Sequence, residues 1–270
     1  MTDIKQQVRE FYDQVGWQEI GAGVYQNARY EDLRPVSREY THRCHMRVNR
    51  HLRPRGEYLL DAGSGPIQYP EYLTYSQGYQ YRVCADISEV ALQEARKRIG
   101  DGAGLFVVAD IAHLPFKAEV FEGVVSLHTI HHLPVVEHVH AYSELFRVLA
   151  NDCTAVIVNG WSSSPLSSLA LGMVRVVERL RGKRSEKASP TGRGTFVRKH
   201  NAVWLKREIC SQMPVKIYVW RTFGVQFLRT FIHPRLAGRG LLHLLYWLEE
   251  RFPGFLGRNG QYPLIVIRKE

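Results

Sequence analysis

From residue 57 to 160 the chain alternates short, nearly unbroken apolar runs with stretches whose apolar residues recur at helical spacing. Apolar runs of strand length separated by helical segments predict an α/β fold, a parallel sheet wrapped by helices on both faces. The expected strands run through Leu59-Leu60, Tyr81–Asp86, Gly104–Asp110, Phe121–His128 and Thr154–Val158, and two later ones run through Val215–Trp220 and Pro263–Ile267. Ile4, Val8, Phe11, Tyr12 and Val15 predict an opening helix to about Gln14, stopped at Gly16-Trp17. Pro35 opens a second, to about Leu52. Ser88 is an expected N-cap for a helix through Arg98 that ends at Gly100, and further helices are expected over Pro134–Leu149 and Asn201–Gln212. Leu166, Leu169, Ala170, Met173, Val176, Val177 and Leu180 form one apolar stripe after Pro165. Residues 223–258 read as a long helical excursion before the last strand.

The first strand ends in Asp61-Ala62-Gly63-Ser64-Gly65-Pro66. Gly63 and Gly65 can take backbone angles closed to other residues and let a ligand approach the main chain, which reads as a nucleotide-type loop. A dinucleotide fits poorly, because the third glycine of that fingerprint is replaced by Gln68 and Asp61 would face a pyrophosphate with the wrong sign. S-adenosyl-L-methionine fits better. Its ammonium and sulfonium are both cationic, and a carboxylate about 5 Å away contributes roughly 3 kcal/mol of attraction at an effective dielectric near 20. Asp86 ends the second strand, where ribose hydroxyls are bonded in such sheets, and Asp110 ends the third, within reach of an adenine amino group.

Leu59 to Pro66, Ala85-Asp86-Ile87-Ser88, Ala109 to Phe116 and Val124 to Pro134 together resemble the class I S-adenosylmethionine-dependent methyltransferases, within them the group typified by ubiquinone and menaquinone biosynthesis. The resemblance covers residues 55 to 160. It implies a Rossmann-like, seven-stranded, mostly parallel sheet whose last two strands form an antiparallel pair. It implies that Asp61, Gly63 and Gly65 hold the methionine part, Asp86 the ribose and Asp110 with Ile111 the adenine, with Ser64, Ile87 and Ser126 as further cofactor contacts. It also implies that residues 1–54 form a helical lid on a methyltransferase domain of residues 55–270, whose inserted segment 161–200 covers the acceptor. One departure stands out: the family's glycine two residues after the second loop glycine is here Ile67.

Transfer from a sulfonium asks the protein to align nucleophile, methyl and sulfur, and to take a proton when the nucleophile is a hydroxyl. His128 and His131, with His132 beside them, follow the fourth strand and are candidates for base or acceptor contact; the alternative is that His131-His132-Leu133-Pro134 only starts a helix. Residues 25–35 are dense in hydrogen-bonding groups, and Arg29 and Tyr30 are the further catalytic candidates there, against plain polar packing. His128, His131, His132, His138 and His140 suffice in number for a metal ion but fall on different helix faces, so no metal is expected.

Composition narrows the partners. Lys+Arg exceed Asp+Glu by 36 to 26, and residues 161–270 hold 20 of the former against 6 of the latter, so the basic character lies in the C-terminal part. DNA amino-methyltransferases of this fold carry an Asn/Asp/Ser-Pro-Pro-Tyr/Phe motif at the fourth strand, and Ser126-Leu127-His128-Thr129 lacks it, so nucleic acid is disfavoured. The acceptor is expected to be a small or lipid-like molecule, with S-adenosylhomocysteine as the second product. The four cysteines have no paired spacing and no apolar run reaches the roughly 18 residues of a span, which suits the cytoplasm. Leu241 to Leu248 beside Arg229, Arg235, Arg239, Arg251 and Arg258 has the composition of a surface-lying helix, which adds a peripheral anionic-membrane contact as an alternative to packing on the sheet or at a dimer interface. A catalytically inactive cofactor-binding scaffold or sensor is the competing non-enzymatic reading.

Overall fold

The computed structural model describes residues 3–21, 24–180 and 195–270, with only the backbone of Ile20, Val24, Arg29 and Tyr30; the basic stretch 181–193 lies outside the described residues. The chain opens with α1 (Asp3–Phe11), a π turn over Tyr12–Gly16, a small hairpin of β1 (Glu19–Gly21) and β2 (Val24–Tyr25), a 310 turn over Gln26–Tyr30, and α2 (Arg38–Met46). The opening helix is thus shorter than its periodicity predicts. The wider turn stacks Tyr12 on Trp17, ring centroids 4.8 Å apart.

The sheet begins with β3 (Gly56–Ala62), followed by α3 (Pro70–Leu73), β4 (Tyr79–Asp86), α4 (Glu89–Ile99), β5 (Gly104–Val108) and β6 (Phe121–Leu127). Ser88 caps α4 by accepting from the Ala91 amide at 3.0 Å, and Gly100 ends it at φ 80°. Then come α5 (His138–Val148) and β7 (Leu149–Val158). The helix expected from Pro134 starts four residues later, because Pro134 sits extended at ψ 140° and a 310 turn intervenes. After α6 (Pro165–Leu180), α7 (Ala202–Glu208) and β8 (Val215–Arg221), the expected long excursion is three helices, α8 (Val225–Phe231), α9 (Gly238–Arg251) and α10 (Pro253–Asn259). The breaks fall at His233 and Phe252, each driven from helical angles by the proline that follows. β9 (Tyr262–Arg268) closes the sheet.

Strand order is β5-β4-β3-β6-β7-β9-β8; the first five are parallel, and β9 runs antiparallel to both β7 and β8. This is the seven-stranded arrangement expected. Alternation along the strands sends Leu60, Val83, Val124 and Ala155 to one core with Leu145 of α5 and Leu205 of α7. Leu59, Cys84, Val125 and Val156 go to the other, with Tyr72 of α3, Leu92 of α4 and Trp220. A third cluster joins Tyr40 and Cys44 of α2 to Leu228, Leu242 and Tyr246, so the inner side of the excursion packs on α2. Among the described residues no helix is long and apolar enough to cross a membrane.

Candidate active site

A cavity of about 330 Å³ opens at the carboxyl ends of β3, β4 and β6. Its floor is the glycine loop. Gly63 (φ 75°) and Gly65 (φ 54°) both lie in the left-handed region, and a β-carbon on Gly63 would stand 2.2 Å from the Thr129 side chain. Ile67 also lies there, at φ 56°, although β-branched side chains resist that conformation. Its side chain is fully buried in the second core, which holds the strained angle in place.

Asp61, Gly63, Ser64, Gly65, Asp86 and Ile87 line the cavity, as do Asp110 and Ile111; Ser126 faces the core, fully buried, its hydroxyl without a partner. Asp61 is not the isolated charge its sequence position suggests. Arg82 donates to its Oδ2 from both Nε, at 3.1 Å, and Nη2, and a third donor of the same guanidinium meets the Tyr72 carbonyl. Arg82 sits opposite Leu59 in the β3–β4 ladder, diagonal to Asp61, and is 1 % exposed. The attraction expected from Asp61 alone is therefore shared with a buried cation. A lone arginine inside an apolar strand is the signal that points to such a partner.

Asp86 accepts from the amides of Gly65 and Ser88, both at 2.9 Å, so it fixes the loop to the start of α4. Burial pushes its carboxyl up to about 6. Asp110 accepts from the Ala112 amide at 2.9 Å and pairs through its other oxygen with Lys5, which also grips Glu137. Helix α1 is thereby tied to the Asp110 side of the cavity by a buried ammonium that periodicity does not reveal.

Past the loop the same cavity is lined by a second set of residues, the far compartment, among them His128, His131, Tyr69 and Tyr262. His128 ends β6 at φ 58°, and its ring lies edge-on to Trp220 and Tyr262, 5.0 and 5.7 Å between centroids. Burial holds its imidazole neutral, down to about 3. His131 is likewise lowered by burial, then by its neighbours His132 and Lys199, and its Nδ1 lies 3.2 Å from Asn159 Oδ1. His132 Nδ1 donates to the Phe196 carbonyl at 2.8 Å, which fixes the tautomer, so Nε2 accepts from the Tyr12 hydroxyl at 2.9 Å. His131 and His132 are thus pinned, while His128 makes no hydrogen bond from its ring among the described residues.

Of the loop 25–35, Asn27 and Glu31 line the cavity; the side chains of Arg29 and Tyr30 lie outside what is described. Glu31 pairs with Arg221 at the end of β8 and lies 4.0 Å from His45. Burial works to raise its carboxyl, but Arg221 and His45 outweigh it and hold Glu31 at about 2. Tyr69, Tyr72, Tyr262 and Lys199 complete this wall. The histidines weighed as metal ligands do not assemble. Among the described residues only Asp110, His113 and Glu137 come within ligand range of one another, and Lys5 already occupies both carboxylates.

A parallel sheet finished by an antiparallel pair of strands, with a glycine loop after β3 and acids at three successive strand ends, defines the class I methyltransferase fold. Residues 60–157 match the family model described as a methyltransferase domain. No curated protein matches the chain in sequence. Geranyl diphosphate C-methyltransferase from Streptomyces coelicolor, solved with Mg²⁺, geranyl diphosphate and S-adenosylhomocysteine, is similar in structure at 14% identity and TM-score 0.58, over 100% of this chain and 99% of that one. The cyclase SpnF is similar at 17% identity and TM-score 0.58, over 98% and 96% of the two chains. The YcgJ protein of Bacillus subtilis follows at 17% identity and TM-score 0.52, over 85% and 99%.

Proposed function

We propose that the protein is an S-adenosylmethionine-dependent methyltransferase acting on a small or lipid-like acceptor by in-line displacement. The observation that carries this reading is one cavity that joins two sets of lining residues, the first Asp61, Asp86 and Asp110 with a glycine loop, the second a group of tyrosines and histidines. The residues of the first fit the cofactor: left-handed glycines leave room beside the main chain, and Asp86 ends β4, the position that bonds ribose hydroxyls in sheets of this type. The cofactor when bound supplies an electrophilic methyl group. The protein orients it, excludes water under α1 and the Tyr12–Trp17 stack, and aligns the acceptor from the far compartment. Residues 1–54 act on this reading as the lid. The likeness of the motifs to the quinone-biosynthesis group supports a lipid-like acceptor, as does the aromatic wall.

Native mass spectrometry of the purified protein should show one saturable adduct each for S-adenosylmethionine and S-adenosylhomocysteine, and a labelled methyl group should pass into a fraction of cell extract. Binding without transfer into polar or lipid fractions would favour a scaffold. His128 is the group assigned to the acceptor. Held neutral and weakly basic, His128 aligns the acceptor and does not take its proton, and His128→Ala should lower turnover roughly a hundredfold through lost alignment with S-adenosylhomocysteine affinity unchanged. His128→Asn, which tolerates the left-handed backbone, separates loss of the imidazole from loss of the turn. Unchanged turnover in both variants would remove His128 from the mechanism.

A membrane contact is supported by the outer side of the excursion. Trp247 and Phe255 are about three-fifths exposed, Leu241, Leu244 and Phe252 are exposed beside them in sequence, and Arg239, Arg251 and Arg258 supply the charge. The protein should float with phosphatidylserine-containing vesicles at low salt and be released by high salt. No flotation at low salt would leave these residues as an ordinary surface.

A further inference from the structure

The polar groups around the far compartment are unequally provided for. Residues 195–200 are fixed beside it by the Arg198 amide to the His131 carbonyl at 2.7 Å and by the Ser162 amide to the His200 carbonyl at 2.8 Å. Thr195, Val197 and Lys199 of this segment line the cavity. Lys199 is half-buried, and no carboxylate among the described residues pairs with it; burial lowers the proton affinity of its amine. Arg221 spends one terminal nitrogen on Glu31, and its Nε is buried without a partner. Thr195 Oγ1 is buried without one too.

Both cations border one ring: Arg221 Cζ lies 4.8 Å and Lys199 Nζ 6.0 Å from the Tyr262 centroid. Against Arg221 and Lys199 the described wall sets one carboxylate, Glu31, while His128 and His131 are held neutral. The described wall therefore carries one positive charge more than its carboxylate answers, and the unpaired ammonium is that of Lys199, which lines the cavity; an anion supplies its partner.

We infer that the acceptor carries an anionic group, a carboxylate or phosphate, held beside the Tyr262 ring by the Lys199 ammonium, with the Arg221 guanidinium adding positive charge on the same wall. This rests on the methyltransferase reading and specifies its substrate class. The anion anchors the acceptor at the β8–β9 side and leaves its nucleophile toward His128 and the methyl group. Neutral isosteres lose the charge-assisted hydrogen bonds and are discriminated against.

The test is a titration of S-adenosylhomocysteine-loaded protein with benzoate, phenyl phosphate and benzamide, followed by indole fluorescence and saturation-transfer NMR. Wild type should bind the better of the two anions roughly tenfold or more tighter than benzamide. Lys199→Met should abolish that preference, Lys199→Arg should retain it, and Lys206→Met, at an exposed site on α7, should leave it intact as a control for overall charge. No anion preference in wild type, including no binding of any probe, overturns the inference, as does a preference that survives Lys199→Met. Affinity for S-adenosylhomocysteine is read in the same samples. Its absence in wild type sinks the methyltransferase reading, whereas its presence without anion preference sinks the anionic acceptor alone.

Discussion

Replacing Asp86 by alanine should weaken S-adenosylmethionine binding about a hundredfold, since two hydrogen bonds from ribose hydroxyls to a carboxylate are worth roughly 1.5 kcal/mol each at the low end. The wild-type pH dependence carries the same assignment. Burial raises the carboxyl of Asp86 from 3.8 to about 6, so in the free protein it takes up a proton as pH falls through about 6. Ribose hydroxyls donate to the ionised form, so affinity should be highest above that value and decline below it; in Asp86→Ala this dependence should be flat. Isothermal titration from pH 5 to 8 checks both, with circular dichroism to show that the variant is folded. Equal affinity for wild type and variant would take the ribose away from Asp86.

Arg82→Leu should be the most destabilising single change near the cavity. It strands the Asp61 carboxylate in a site 4 % exposed and deprives the Tyr72 carbonyl of its donor. Removing one partner of a buried pair costs about 3–5 kcal/mol, which for a chain of this size lowers the melting temperature by roughly 10 °C. Pairing it with Asp61→Asn should recover much of that loss, because the cost lies in the uncompensated charge. The double variant should still bind cofactor poorly. A melting temperature within a degree or two of wild type for Arg82→Leu would mean that Asp61 does not depend on it.

The two halves of the cavity were unequally legible in the sequence. Strand ends at Asp61, Asp86 and Asp110 stand out because an apolar run must stop somewhere, and an acid at that stop is a local feature. The Ser88 cap and Gly100 were legible for the same reason. Arg82 was visible as a residue, but its role depends on a neighbouring strand and on register. The acceptor wall is less local still. Glu31 comes from a loop, Lys199 from an extended segment and Arg221 from the sheet edge, 190 residues from the glutamate it pairs with. Nothing in the spacing of these residues marks them as neighbours; only the strand order, with β8 outside β9, brings Arg221 to Glu31 and Tyr262. Helix ends depart from the apolar periodicity at Pro134, Pro234 and Pro253, since each proline expels its predecessor from the helical region while the periodicity runs on.

Ile67 gives the cofactor loop a thermodynamic character that a glycine would not. A glycine adopts a left-handed angle by itself, and a loop built on it can open and reclose while the rest of the protein stays folded. Here the angle of 56° is kept only because a fully buried side chain anchors it. Loosening the loop at this point means withdrawing that side chain from the core beneath the sheet, which couples the floor of the cavity to global unfolding rather than to local fluctuation. Amide hydrogens around residues 65–68 should therefore exchange on the timescale of the central strands, and the floor meets its ligand as a surface already shaped.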